Sequence, residues 1–190
     1  MRKFIKLAST CLSMPTENID TDQIIPARFL KTTERKGLGK YLFYNWRGKH
    51  FDESIHRGKK ILIAGNNFGC GSSREHAVWA LMDFGFEAVI SSSYGDIFYN
   101  NSLKNGFLPV ILKAGEIQKI FNLIEQNPKV NLTIDLQKQT VVAYPLLFSF
   151  PIDSFRKNCL LKGVDELGYI LSYEKEITRY ELSPQSLNIL

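Results

Sequence analysis

One repeated pattern limits the possible fold of this chain most: short apolar segments alternate with segments of helical periodicity. The segments KILIAG, EAVISSS and LPVIL are predicted to be buried strands. Each is followed by a predicted helix: Ser72–Phe84, then DIFYNNSLKNG, which Gly106 ends, and then GEIQKIFNLIEQN. Because strands that alternate with helices form parallel sheets through right-handed crossovers, the pattern predicts an α/β core.

The flanking segments complete this prediction. KFIKLAS is predicted to be a first strand, VNLTID and TVVAY a hairpin, and DSFRKNCLLKG and ELGYILSYEKEITRYE closing helices. The polar residues 10–40 are predicted to be a long connection, followed by a short helix at YLFYNW. With 190 residues, 44% of them hydrophobic, we expect a single domain over 1–190. Its core covers roughly 59–160, and its C-terminal helices cover 152–183.

Composition excludes several classes of protein. No apolar run reaches the roughly 18 residues of a membrane span, and MRKFIKLAST lacks a signal-peptide core, so we expect a cytoplasmic protein. Cys11, Cys70 and Cys159 are too far apart for a disulfide framework or a zinc site. The net charge is +5, but lysines and arginines are scattered without a basic stripe. We therefore expect no nucleic-acid partner; an anionic small molecule or a solvated surface explains the charge.

The stretch NFGCGSSREHAVWALMDFG carries the chemistry. Gly69 and Gly71 allow a tight turn between a strand and a helix, and the helix start favours an anion. The turn has neither P-loop spacing nor a G-x-G-x-x-G pattern. Ser72 and Glu75 also fit an S-x-x-E capping box. A plain helix cap is therefore the alternative to a ligand site.

Arg74 favours the ligand site. In the first helical turn a positive side chain opposes the helix dipole, so its placement there indicates a bound anion. A guanidinium can grip a carboxylate with two hydrogen bonds, and the hydroxyls of Ser72 and Ser73 add donors. These groups suit proton abstraction next to a carboxylate, with a serine alkoxide as base. Since no metal motif or activating base accompanies them, we expect half of an active site, completed by a partner.

Several separated motifs resemble one family. IDTDQIIPARFL, NFGCGSSREHAVWAL, DIFYNN and FRKNCLLKG together look like the small subunit of 3-isopropylmalate dehydratase, within the aconitase-like swivelling domain family. The resemblance covers nearly the whole chain. It implies the swivelling β/β/α fold of the aconitase small-subunit type, within the α/β class. It also implies that this chain takes part in isomerising 2-isopropylmalate and 3-isopropylmalate, by dehydration and rehydration, in leucine biosynthesis.

The same resemblance implies partners and roles. A separate large subunit is expected to carry a [4Fe–4S] cluster, while this chain binds no cofactor and no metal. Ser72 is implied to be the catalytic base, and Ser73 and Arg74 are implied to bind the substrate carboxylate. Asp22 matches an aspartate near the active site of such domains, so it is a second candidate catalytic residue. Its alternative is a turn aspartate bonded to backbone. Cys70 is not a cluster ligand in this pattern.

The substrate's branched apolar group needs an apolar wall. The segment 27–32, ARFLKT, offers Phe29 and Leu30 as candidate substrate-binding residues. The alternative is that both side chains only anchor the loop to the core. Two wider alternatives also stay open: relatives act on citraconate or homoaconitate, and a stand-alone anion-binding module with a regulatory role could use the same helix start.

Overall fold

The computed structural model of the chain describes residues 1–31 and 33–182. The strands are β1 (Lys6–Ser9), β2 (Cys11–Met14), β3 (Ile61–Ala64), β4 (Ala88–Ser91), β5 (Leu108–Ile111), β6 (Leu132–Asp135), β7 (Thr140–Ala143) and β8 (Leu146–Ser149). The α-helices are α1 (Thr21–Ile24), α2 (Glu53–His56), α3 (Glu75–Phe84), α4 (Asp96–Asn105), α5 (Ala114–Gln126), α6 (Ser154–Lys162), α7 (Glu166–Leu171) and α8 (Glu174–Glu181). Short 3-10 turns lie at Ala27–Phe29, Gly39–Tyr41 and Tyr44–Trp46.

A parallel sheet in the order β2-β3-β4-β5 forms the centre of the molecule. Its strands are buried on both faces, as continuous apolar segments such as KILIAG predict. In β3, Ile61 and Ile63 belong to one core, whereas Leu62 and Ala64 belong to the other. The predicted α/β core with strand–helix alternation is therefore confirmed.

Each face of this sheet is covered by a different layer. On one face lie α5 and an antiparallel sheet in the order β1-β6-β7-β8. Helix α5 contributes Ile117, Ile120, Phe121 and Ile124, which recur at i, i+3, i+4 and i+7. On the other face lie α1, α3 and the 3-10 turns. This mixed α/β architecture with two sheets agrees with the expected fold class.

The outer elements match the sequence predictions with local differences. The hairpin of β6 and β7 is confirmed, and β8 adds a strand that the sequence pattern did not indicate. The C-terminal helices lie at α6, α7 and α8, and residue 183 of the predicted range falls outside the described residues. The domain boundaries stay a prediction.

No helix within the described ranges combines the length and apolarity needed to cross a bilayer.

The prediction that residues 10–40 form one long connection was wrong in part. The segment contains β2, which pairs with β3 at the sheet edge, and the short helix α1. Pairing with a distant strand gives CLSM its structure, and a four-residue strand carries too little periodicity to be identified alone. The helix predicted at YLFYNW is also interrupted, because Phe43 adopts φ +47° between two 3-10 turns.

Candidate functional site

The glycine turn joins the carboxyl end of β3 to helix α3. Gly69 and Gly71 adopt φ of +72° and +87°, a region that side chains rarely occupy. A Cβ atom on Gly69 would lie 2.3 Å from Cγ of Phe98, so this position also needs glycine for space. The turn thus packs tightly against α4. Loop residues after the carboxyl ends of parallel strands are a common place for ligands.

Helix α1 fixes the outer half of this turn. The Thr21 N–H donates to the Cys70 carbonyl, and the Thr21 hydroxyl donates to the Ser72 carbonyl, each at 3.0 Å. Thr21 is only 2% exposed, so its hydroxyl is shielded from competing water. The backbone of Ser72 is therefore positioned by a buried side chain 51 residues earlier. Sequence reasoning missed Thr21.

A signal for α1 was available in the sequence. The stretch DTDQ carries a capping box: the Asp20 carboxylate accepts from the Gln23 N–H at 2.7 Å, and Gln23 accepts from the Asp20 N–H at 2.8 Å. This box begins a helix immediately before the apolar pair Ile24 and Ile25. It would have located α1, although not its contact with the glycine turn.

The predicted helix start at Ser72 was wrong, because α3 begins at Glu75. Arg74 occupies the N-cap position in extended conformation, with φ −125° and ψ 101°. The predicted capping box is absent, since the Glu75 carboxylate accepts from the Asn105 side chain at 2.7 Å instead. The Ser72 carbonyl is also held by Thr21, which keeps the chain out of helical geometry. Ser72 is therefore not a helix cap.

Ser72 and Ser73 are exposed, and their polar groups are available. Within residues 1–31 and 33–182, neither the hydroxyl nor the N–H of either serine donates to or accepts from a protein group. The exposed turn before α3 therefore offers four polar groups that have no protein partner among the described residues. This is the arrangement that an anion with several oxygen atoms can bind.

The structure brings Asp22 and Arg74 together. Arg74 Nη1 lies 2.5 Å from Asp22 Oδ1, and the same oxygen accepts from the Ala27 N–H at 2.9 Å. The Arg74 hydrogen bond, and after it the Ala27 bond, lowers the pKa of Asp22 below its ordinary value. Asp22 is therefore a carboxylate at neutral pH. Its carboxylate accepts the Ala27 N–H, as expected for a turn aspartate, and it is also the negative charge that pairs with Arg74.

Phe29 and Leu30 lie on the 3-10 turn and its end, directly after Ala27. Both are partly buried and pack against the second core. The Phe29 ring stacks on Tyr41 with centroids 4.0 Å apart and contacts Tyr44 at 4.9 Å. These contacts give Phe29 an anchoring role, whichever second role it has. Thr32, the last residue of the predicted segment, lies outside the described residues.

The three cysteines of this chain lie in environments that raise the pKa of their thiols. Burial raises the pKa of Cys11 to about 11 and raises that of Cys159; at Cys70 burial and then the Asp20 charge raise the pKa. A cluster is ligated by thiolates, which these environments disfavour. Across the described ranges, no group of three or more His, Cys, Asp or Glu side chains could hold a metal ion.

Comparisons with known proteins give this chain several named relatives. Residues 49–115 match the model of the aconitase C-terminal domain family. The 3-isopropylmalate dehydratase small subunit of Herpetosiphon aurantiacus is 50% identical, over 90% of this chain and 89% of the relative. That of Brevibacillus brevis is 46% identical, over 95% and 98%. The crystal structure of 3-isopropylmalate dehydratase from Methanocaldococcus jannaschii is 26% identical, has a TM-score of 0.69, and is matched over 93% of this chain and 99% of that one.

Proposed function

We propose roles for this chain from one premise: it belongs to the family of 3-isopropylmalate dehydratase small subunits. Together with a large subunit, the chain isomerises 2-isopropylmalate and 3-isopropylmalate by removing water and adding it back. The observation that carries the proposal is the exposed turn before α3. There the hydroxyls of Ser72 and Ser73, which have no partner among the described residues, precede Arg74 directly in the chain. A hydro-lyase acting next to a carboxylate needs such donors on one side of its substrate.

Ser72 has the role of proton acceptor. Its Oγ, as an alkoxide, takes the proton from the carbon next to a carboxylate, and a double bond forms. The hydroxyl on the neighbouring carbon accepts a second proton, from an acid on the large subunit, and leaves as water. Readdition of water with the opposite orientation gives the isomer. Thr21 holds the backbone of Ser72, and within the described ranges no protein group bonds to the Ser72 hydroxyl. The backbone position of Ser72 is therefore fixed, while its Oγ can turn toward a substrate.

Ser73 and Arg74 bind the substrate carboxylate. Negative charge shifts onto this carboxylate when the proton leaves, so donors fixed beforehand stabilise the transition state more than the ground state. Arg74 is suited to this because its guanidinium is held by Asp22 on one side, which leaves other N–H groups for the substrate. The side chain of Arg74 is 21% exposed, so an incoming anion can reach it.

Asp22 acts on this site through Arg74. An ionised carboxylate bonded to a guanidinium has no proton to donate and little basicity, so we assign Asp22 a positioning role. Its second bond, to the Ala27 N–H, ties the guanidinium to the start of the segment that carries Phe29 and Leu30. Asp22 therefore connects the carboxylate site to the proposed apolar wall.

Leu30 provides the apolar wall for the branched group of the substrate. Phe29 supports it from within the ring stack with Tyr41 and Tyr44. An apolar pocket discriminates by about 1–3 kcal/mol per methylene, so the preference for isopropylmalate over smaller relatives such as citraconate is graded. This wall is the reason for placing the chain with isopropylmalate among the family's substrates.

The large subunit completes the site. We propose that it binds the [4Fe–4S] cluster and activates the leaving hydroxyl, and that the complex works in the cytoplasm. The experiment is co-expression with the large subunit and an anaerobic assay on 2-isopropylmalate, with citraconate as comparator. Turnover with a clear preference for 2-isopropylmalate is expected. Equal or better turnover of citraconate would make citraconate the assigned substrate. Iron–sulfur absorbance retained by this chain alone would contradict the placement of the cluster on the large subunit.

A further inference from the structure

The positive charge of this protein is concentrated in one part of the chain. Residues 27–49 contain seven lysines and arginines but only one acidic residue, whereas the rest of the chain has 17 against 18. The entire basic excess therefore lies between α1 and α2. The charges are spaced along the sequence, so they form no basic run. The fold brings some of them together.

Two of these cations sit on a group of packed rings. Arg28, Phe29, Lys40, Tyr41 and Tyr44 form a cationic–aromatic cluster. The guanidinium carbon of Arg28 lies 4.8 Å from the Phe29 ring centroid and 5.1 Å from that of Tyr44. Lys40 Nζ lies 4.9 Å from the Tyr41 centroid. Cations in these positions are attracted to the ring faces by about 0.5–1 kcal/mol at exposed sites, so the contacts favour this arrangement before any partner arrives.

The cationic–aromatic cluster is also accessible. Arg28 and Lys40 are exposed, and Tyr44 is 45% exposed although it packs against Phe29. Arginine and tyrosine are enriched in protein interfaces, where a rigid ring supplies contact area and a cation supplies orientation. An exposed group of packed rings and cations is therefore suited to contact with another protein.

The cluster borders the proposed catalytic turn. The residue before Arg28 donates its N–H to Asp22 Oδ1, and Asp22 in turn holds Arg74. The Arg28 charge is close enough to contribute to the lowered pKa of Asp22. The cluster therefore lies on the side of the molecule from which the missing half of the site must approach.

We infer that the cationic–aromatic cluster is part of the surface that docks the large subunit, and that it meets an acidic patch there. The inference rests on the proposed function, because the large subunit is the occupant that must cover Ser72 and Ser73. Its basis is the continuity of the cluster with the catalytic turn and its excess of positive charge. Opposite charge around a catalytic contact speeds association and fixes the orientation of docking.

The test is the affinity of purified subunits at about 50 mM and about 300 mM salt. The double reversal Arg28→Glu/Lys40→Glu is expected to weaken binding at least about 10-fold at low salt, with a smaller effect at high salt. The matched control is Lys129→Glu/Lys138→Glu, the same charge change at two exposed lysines beside the antiparallel sheet. It should stay within about twofold of wild type. Tyr44→Ala should weaken binding at both salt concentrations, because it removes ring contact rather than charge.

Several outcomes would overturn the inference while the proposed function stands. One is that Arg28→Glu/Lys40→Glu binds the large subunit with unchanged affinity but has a lowered kcat/KM. The two cations would then attract the anionic substrate and not the large subunit. Another is an equal loss in the control, which would indicate net charge alone. A third is salt-sensitive binding of a single-stranded oligonucleotide in place of subunit docking. Failure of the wild-type chain to bind the large subunit would instead refute the proposed function. Unchanged melting temperatures establish that each variant is folded.

Discussion

Replacing Ser72 with alanine tests its catalytic role separately from stability, because Ser72 does not cap a helix in this structure. A serine that caps a helix contributes about 1 kcal/mol, which would lower the melting temperature of a chain this size by roughly 2–4 °C. Here α3 begins at Glu75, and Ser72 is exposed with its hydroxyl unpaired within the described ranges. We therefore expect Ser72→Ala to change the free energy of unfolding by less than about 0.5 kcal/mol.

The expected kinetic effect is much larger. Loss of the group that accepts the proton should lower kcat by about 10²–10⁴-fold. The assay is anaerobic turnover of 2-isopropylmalate by the complex with the large subunit, with thermal melting of the isolated chain beside it. Ser73→Ala is the matched control, because it removes an equally exposed hydroxyl from the adjacent residue. It should mainly raise KM, since the role we propose for Ser73 is to bind the substrate carboxylate.

Three results would contradict the role proposed for Ser72. If Ser72→Ala turns over within a few-fold of wild type, the hydroxyl is not the proton acceptor. If instead both alanine variants raise KM equally and leave kcat intact, the two serines are equivalent carboxylate donors. A clear loss of melting temperature without a kinetic defect would mean that Ser72 has a structural role.

Further variants test the neighbouring groups. Arg74→Lys keeps the charge but loses the two-pronged geometry, so both KM and kcat should worsen in the complex without a change in melting temperature; near-normal kinetics would place Arg74 among surface charges. Thr21→Val should lower kcat more than it raises KM and should cost about 0.5–1.5 kcal/mol of stability, because the Ser72 carbonyl loses the hydrogen bond from the buried Thr21 hydroxyl. Thr21→Ser keeps the hydroxyl and should restore turnover; no restoration would contradict the positioning role. Leu30→Arg should depress kcat/KM for 2-isopropylmalate more than for citraconate, whereas equal losses with a lower melting temperature would identify Leu30 as an anchor.

Periodic segments were predictable because their pattern of apolar residues follows from how each element is buried. KILIAG is apolar throughout since β3 is covered on both faces, and α5 repeats its apolar residues at helical spacing. Gly106 was correctly placed as a helix end, and it adopts the left-handed conformation there. Each of these features depends on residues close together in the chain.

The missed features depend on distant contacts. Strand β2 exists because it pairs with β3 about 50 residues later, and CLSM alone is too short to indicate it. The start of α3 is displaced because Thr21 holds the Ser72 carbonyl and Asn105 holds the Glu75 carboxylate. The Asp22–Arg74 pair likewise joins residues that no local pattern connects. The candidate residues could be identified from motifs, but their geometry required the fold.

The central claim is that this chain carries half of an active site, which the large subunit completes. The most direct test is an anaerobic titration in which a fixed amount of large subunit receives increasing amounts of this chain, with 2-isopropylmalate as substrate. We predict no turnover by the chain alone, and a rise to a plateau at a fixed ratio of subunits. Ser72→Ala chain added at the plateau should displace wild type and lower the rate in proportion to its share. Turnover by the chain alone, or a rate that ignores added Ser72→Ala chain although that variant binds, would contradict the claim.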